Sequence, residues 1–305
     1  MLKNRIKAVL NKLEPFLFNG FNIAFMLIII VVMVYPFWNT VAVSFNDSQD
    51  TLHGGITFFP RKFSLYNYKT VFKNHLLVTA AINSVLRTLL STVFGVFISA
   101  VIAFVLSRQE FLWRKFVTRY FVVTMYVSAG LIPTYFLIKD LGLINNFLVY
   151  IIPGLISAFN VIVIKTFMQS LPPALTEAAE IDGAGYFRCF IQIILPCCKP
   201  VLATVALWCA VGAWNSWFDT FIYCSSKESL TTLQYEMMKM ISASMNAATN
   251  KSGSDIYGGG VTIDAVTPVS MRAAVTVVAS VPILFVYPFL QKYFVQGITI
   301  GSVKG

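Results

Sequence analysis

The sequence predicts an all-α integral membrane protein with six transmembrane helices and a helix-turn-helix on its cytoplasmic side. Composition is the first reason. Of 305 residues, 12% are charged and 57% hydrophobic, whereas a soluble domain carries about 25% charged residues. A chain so poor in charge cannot cover its own surface in water, so lipid serves as part of its solvent. The second reason is length. A bilayer core about 30 Å thick needs roughly 20 apolar residues per helix, and the stretches 19–42, 79–106, 117–139, 146–168, 200–223 and 271–295 meet that need. The third is a connecting segment, 169–199, whose pattern differs from every other loop. Residues 1–305 therefore read as a single transmembrane domain.

Before the first span, Lys3, Arg5, Lys7 and Lys12 face a single acid, Glu14. Positive residues stay on the cytoplasmic side, so the N-terminus is expected there, and six spans return the C-terminus to the same side. With every Lys and Arg assigned to its nearer side, that orientation puts 13 basic residues inside and 10 outside. The first apolar run exceeds the 7–15 residues of a signal peptide and contains Pro36, so it is expected to remain uncleaved. The next loop, from Ser44 to about Val78, carries Gly54, Gly55 and Pro60 as turn signals and an aromatic run through Tyr68, which reads as a short interfacial segment. In the second span Ser91, Gly95, Ser99 and Ala103 step by four residues. Small side chains on one stripe let another helix come close.

The net charge of +10 reflects 23 Lys and Arg against 13 Asp and Glu, with most of the bases in membrane-flanking loops. That distribution fits anionic lipid and not nucleic acid. The five cysteines (189, 197, 198, 209 and 224) show no C-x-x-C spacing, and His53 and His75 stand alone, so no metal site or disulfide framework is expected.

After Lys165 the apolar pattern stops. Pro172-Pro173 suits a helix start, and Ala174 to Ile181 is rich in helix formers with Glu177 and Glu180 in its early turns. Gly183 supplies a turn, Tyr186, Phe190 and Ile194 recur at four-residue spacing, and Pro196 closes a second helix. Within this segment Glu177-Ala178-Ala179, then Gly183 after three residues, then Ile193-x-Leu195-Pro196 after nine, resemble the coupling loop of binding-protein-dependent ABC importers. Seven fixed positions over 20 residues make the match specific. The resemblance implies a short helix seated in a cleft of an ATPase subunit. In that picture Glu177 pairs with a basic group there, Gly183 lets the turn approach closely, and Ala178, Ala179, Asp182, Ile193, Leu195 and Pro196 complete the ATPase-coupling set.

Residues 291–305 add to this. The tail 296–305, with Gly297, Gly301, Lys304 and Gly305, resembles the C-terminus of maltose-type carbohydrate permeases, and is nearest those for complex oligosaccharides. The implied complex contains a second homologous permease, two ATPase subunits that bind ATP and Mg, and an extracytoplasmic sugar-binding protein. No cofactor is implied in this chain itself, and it has no phosphate-binding G-x-x-x-x-G-K-[ST] loop. Trp214, Asn215, Trp217 and Asp219 cluster in the outer half of the fifth span. Aromatic faces with an amide and a carboxylate suit a sugar path, and they suit an interfacial aromatic belt with a packing contact equally. The long polar loop 225–268, with Gly258-Gly259-Gly260, is where the resemblance implies contact with the binding protein. The expected function is thus the permease subunit of an ATP-driven oligosaccharide importer in a bacterial cytoplasmic membrane. The alternatives are an importer of a non-sugar solute, or a proton-coupled carrier using Asp219. A membrane-embedded enzyme would need a cluster of acids, His or Cys that the spans lack.

Overall fold

The computed structural model describes residues 2–249 and 267–302, with side chains over 18–243, 267–285 and at Pro288. Its helices are α1 (Leu2–Ser44), α2 (Ser48–Thr51), α3 (Tyr66–Lys73), α4 (His75–Ser107), α5 (Arg114–Tyr126), α6 (Leu131–Asp140), α7 (Ala158–Gln169), α8 (Ala174–Ile181), α9 (Tyr186–Cys189), α10 (Leu195–Cys197), α11 (Lys199–Asn215), α12 (Phe218–Tyr223), α13 (Leu233–Thr249) and α14 (Pro268–Ser302). No strand forms among the described residues; a lone bridge joins Asn46 and Phe63. Among the described residues three helices are long and apolar enough to cross a membrane, and up to six spans result when each bent helix pair counts as one. The chain divides into two units, Met1–Val71 with Gly253–Val277, and Phe72–Ser252 with Val278–Gly305.

In the first unit, α1 presents apolar side chains from Phe18 to Trp38 with little cover. That is how a helix solvated by lipid or by a partner helix looks. After α1 the chain folds into a knot of side-chain amides. Asn46, fully buried, donates to Asp47 O, Asp50 Oδ2 and Thr51 Oγ1 and accepts from Lys62 N. Asn67, 1% exposed, donates to Ser44 O and Asn46 O and accepts from Ser48 Oγ at 2.6 Å. Asp47 caps α2 by accepting from Gln49 N and Asp50 N. Trp38 Nε1 donates to Phe58 O at 2.7 Å and ties the loop back to α1. The hydrogen bond from Asn46, with the Arg61 guanidinium 2.9 Å away, holds the Asp50 carboxyl below its usual range.

The second unit is organised by α4. Asn74 starts it by accepting from Leu76 N and Leu77 N. At 33 residues it is about 50 Å long. The expected small-residue stripe is real: Gly95, Ser99 and Ala103 are buried, and Ser91 Oγ donates to Tyr150 O at 3.1 Å. A Cβ on Gly95 would stand 3.9 Å from the Leu155 carbonyl, so backbone meets backbone there. Helices α11 and α7 pack against α4. They close a core in which Ala100, Phe104, Val161, Ile164, Phe190 and Val205 are buried.

Three expected spans are broken. Helices α5 and α6 meet at 116°, because Gly130 takes φ +84 and Pro133 sits in the first turn of α6. A proline is harmless there, since first-turn N–H groups have no partner within the helix. The fourth stretch begins as two 3-10 turns, Phe147–Tyr150 and Ile152–Gly154 around Pro153, and bends 47° into α7. The stretch 200–223 is α11 and α12 separated by Ser216 in an extended conformation. Within the loop expected at 225–268, α13 is a 17-residue helix. Leu233, Met237 and Ile241 carry its helical spacing.

Two outcomes follow from this packing. Gly95→Leu must push the Leu155 backbone away, an overpacking cost of about 1–3 kcal/mol. A lower thermal midpoint in detergent is expected for it, with Gly95→Ala close to wild type. In the loop knot, the lowered folded pKa of Asp50 means that its stabilisation is full above the ordinary carboxylate range and is lost as pH falls through the lowered value. Amides of residues 46–62 are expected to exchange faster at pH 3 than at pH 6 after correction for intrinsic rates, and Asp50→Asn should remove that dependence.

Candidate functional site

The coupling segment is built by local rules of helix geometry. Pro172 and Pro173 precede α8, and Asp182 ends it. Gly183 N donates to Glu180 O at 3.0 Å, and Ala184 N donates to Ala179 O at 2.9 Å. That pair of bonds is the Schellman closure, which requires a left-handed residue at its corner. Gly183 fills it with φ +77. Apart from its immediate chain neighbours, no part of the described chain lies within 4 Å of a Cβ built there. Its glycine requirement in this chain is therefore conformational, and the steric reading concerns only a partner.

Inside and outside are cleanly divided on this knob. Ala179 is 4% exposed and roots α8 in the main core, while Glu177, Ala178 and Asp182 are exposed. Ile181 is 86% exposed, Phe187 73% and Tyr186 61%. Large apolar groups this bare, rimmed by acids, mark a contact surface. The second helix runs through α9 into a π-turn, Phe190–Ile194, and then α10. Pro196 lacks an N–H, and the preceding turn widens so that Leu195 N donates to Phe190 O. Phe190 and Ile194 are buried, Ile193 and Leu195 half-buried, and Pro196 exposed.

Arg108 was not singled out in the sequence and proves central. It stands at the end of α4, 3.7 Å from Glu180 Oε1, with its guanidinium over the Phe104 ring at 4.7 Å and the Tyr186 ring at 5.7 Å. It also donates to Cys189 Sγ at 3.4 Å. One side chain thus holds both halves of the coupling segment to α4. A pocket of about 580 Å³ opens beside it, bordered by Glu110, Arg114, Gln169, Pro173, Glu177 and Glu180.

At the other end of α4 the sugar-path candidates divide. Trp214 is 7% exposed and donates from Nε1 to Ala279 O at 2.9 Å. Its ring borders an apolar pocket of about 170 Å³ with Val85, Leu89 and Pro282. Asn215 is exposed and accepts from Gln234 Nε2 at 3.1 Å. Trp217 is half-buried against Phe218 and Phe221. Asp219 accepts from Ser216 Oγ at 2.8 Å and pairs with Arg87, a residue sequence reasoning passed over. Arg87, 3% exposed, also donates to Ser216 O and lies over the Tyr150 ring at 4.7 Å.

Around this pair α4 is stitched to residues 216–233. Asn83 Nδ2 donates to Ser229 O and Thr231 O, Leu233 N donates to Ser84 Oγ, and Tyr150 Oη donates to Leu230 O. The polar cluster therefore positions backbone. Gly297 and Gly301 fall in α14, whereas Lys304, Gly305 and Gly258-Gly259-Gly260 lie outside the described residues. No group of three or more His, Cys, Asp or Glu that could hold a metal occurs among the described residues.

The Arg87–Asp219 pair is asymmetric, with side chains 4% and 38% exposed. Removing the acid strands a buried guanidinium, for which breaking a buried pair costs about 3–5 kcal/mol. Removing the base leaves a carboxylate that water can reach. Asp219→Ala is expected to lower the thermal midpoint more than Arg87→Met, and the double variant should regain part of the loss. Equal, additive losses around the double-mutant cycle would show that the pair is not coupled.

Comparison with known proteins identifies a family. Residues 95–300 match the family described as "Binding-protein-dependent transport system inner membrane component". The chain is 34% identical over 297 residues to the Polygalacturonan/rhamnogalacturonan transport system permease protein YtcP of Bacillus subtilis (strain 168), covering 97% of this chain and 99% of that protein. It is 36% identical over 289 residues to Protein LplC of the same organism, covering 94% and 95%. Among solved structures, a bacterial ABC transporter involved in the import of the acidic polysaccharide alginate contains a chain of the same fold. The TM-score is 0.80 at 24% identity, covering 91% of this chain and 96% of that one. With its family match spanning the entire coupling segment, this chain belongs to the binding-protein-dependent transport system inner membrane components, which are transport subunits and not enzymes.

Proposed function

We propose that this chain is one permease subunit of an ATP-driven importer that receives an oligosaccharide from an extracytoplasmic sugar-binding protein. The observation that carries the reading is the rooted knob of α8. Ala179 and Arg108 fix it to α4, while Glu177, Ile181 and Phe187 stand free for a partner. In this reading two ATPase subunits bind ATP and Mg and seat the knob. Contact comes through Glu177, Ala178, Asp182 and Gly183, with Ala179, Ile193, Leu195 and Pro196 shaping the knob behind them. A second homologous permease completes the pathway. The chain lies in the bacterial cytoplasmic membrane with both termini inside. The tail, with Gly297, Gly301, Lys304 and Gly305, reaches the ATPase interface, and Gly258, Gly259 and Gly260 face the binding protein.

The oligosaccharide assignment is supported by relatives whose names include polygalacturonan, rhamnogalacturonan and arabinooligosaccharides. On the sugar path, Asn215 and Trp217 are favoured over Trp214, since Trp214 is 7% exposed whereas Asn215 is exposed and Trp217 half-buried. The rival proton carrier is disfavoured. Protonating Asp219 would leave Arg87 buried without its counterion.

The test uses the full complex in vesicles with internal ATP and a collapsed proton gradient. Wild type should accumulate the oligosaccharide. Glu177→Lys, which reverses charge at a desolvated contact, should abolish uptake and substrate-stimulated ATPase activity while the chain stays in the membrane. Gly183→Val should act similarly and Gly183→Asn should be milder, because Asn tolerates positive φ. Uptake that stops with the gradient despite ATP, or a stable homodimer of this chain on the ATPases by native mass spectrometry, would contradict the proposal.

A further inference from the structure

A second pocket, of about 360 Å³, lies between α5 and α7, next to the coupling segment. Arg114, Lys115, Arg119 and Lys165 border it with Thr118 and Gln169, and no acid lines it. Lys165 Nζ donates to Thr118 Oγ1 at 2.9 Å. Among the described residues, no carboxylate lies within ion-pair distance of any of the four cations. Arg114 also borders the larger pocket that holds Glu110, Glu177 and Glu180, so Lys115, Arg119 and Lys165 are the three with no acid beside them. Cations gathered this closely repel one another unless an anion joins them.

The surroundings fix the depth at which that anion sits. Leu112 is 93% exposed and Trp113 64% exposed, immediately before Arg114. An exposed tryptophan beside cations is the pattern of the headgroup layer. From there Phe116, Tyr120 and Val123, all exposed, follow one face of α5 toward the apolar interior. A soluble anion would use the cations and ignore this track. A phospholipid would use both.

We propose that this pocket binds the phosphate of an anionic glycerophospholipid in the cytoplasmic leaflet, with an acyl chain along Phe116, Tyr120 and Val123. The assignment to the cytoplasmic leaflet rests on the coupling reading above. Basic pockets between membrane helices on that side are suited to such headgroups. The lipid would brace α5 against α7, whose C-terminal end leads directly into α8.

The experiment places the purified full complex in nanodiscs of phosphatidylcholine with phosphatidylglycerol added, and counts retained phosphatidylglycerol by native mass spectrometry. Lys115 and Arg119 are exposed, so Lys115→Gln and Arg119→Gln leave the fold intact. Retention should fall about fivefold for each cation removed. The charge-keeping exchange Lys115→Arg with Arg119→Lys should retain the lipid. Inorganic phosphate should not displace it. Unchanged retention in the double variant overturns the proposal. So does displacement by inorganic phosphate, which would make the ligand a soluble anion. Loss of the ATPase subunits from the variant complex would also overturn it, because the cations would then face protein. Labelling of Cys197, exposed on the coupling segment, with a membrane-impermeant thiol reagent reports sidedness separately. Reaction from the outer face alone would remove the coupling reading and the leaflet, whatever the lipid result.

Discussion

Close approach of backbones along α4 is the constraint on which the second unit depends. Lipid tails are as apolar as leucine, so helices in a bilayer gain nothing by merely hiding apolar surface. They associate through tight packing and hydrogen bonds. Gly95, Ser99, Ala100 and Ala103 keep that face of α4 thin, and α7 and α11 lie against it. A helix packed this tightly over its length behaves as one rigid strut. Its two arginines, 87 and 108, are separated by about 30 Å along the axis. Each holds a different piece of backbone in place.

The two arginines solve the same physical problem differently. Arg87 is buried within the span, where an unpaired charge is costly. It is met by Asp219, the Ser216 carbonyl and the Tyr150 ring. Because Ser216 is where α11 gives way to α12, the guanidinium caps a carbonyl that the broken helix no longer satisfies. Arg108 sits at the end of α4, and its partner Glu180 is half exposed. There the ion pair itself is weak, as exposed pairs are, and the stacked Phe104 and Tyr186 rings supply the rest of the hold. The end near Asp219 is therefore locked by a pair whose guanidinium is buried, and the end near Glu180 by a softer, aromatic-lined one.

What could be read from the sequence follows the range of the interactions. The α8 turn depends on residues four or five apart, so Glu177 to Gly183 was legible, as was the small-residue stripe of α4. Trp214 to Asp219 was found as a cluster because those residues are neighbours in the chain. Its role was not, because the deciding partner, Arg87, lies 132 positions away. The Asn46–Asn67 knot was hidden for the same reason. Asparagines in a polar loop look alike until the fold shows which are buried. The break at Gly130 and Pro133 left a local signal, but an apolar run of the right length outweighed it. Length counts residues and is blind to direction, so a bend of 116° passes as one span.

The coupling segment combines a closed turn with a loosened root. Hydrogen bonds across Gly183 close α8 on itself, so the knob cannot easily change shape. Its root is different. The π-turn from Phe190 to Ile194 and the missing N–H of Pro196 loosen the hydrogen-bond ladder where the segment rejoins α11. Helices on either side of that root already meet at 81°. A stiff knob on a compliant root transmits a push as rotation of a rigid body and spares the knob from deforming. In the proposed coupling Arg108 would set the pivot, since it touches α8 through Glu180 and the second helix through Tyr186 and Cys189. Force applied at Ile181 and Phe187 would therefore be delivered first to α4, and along α4 to the locked polar cluster about 30 Å away.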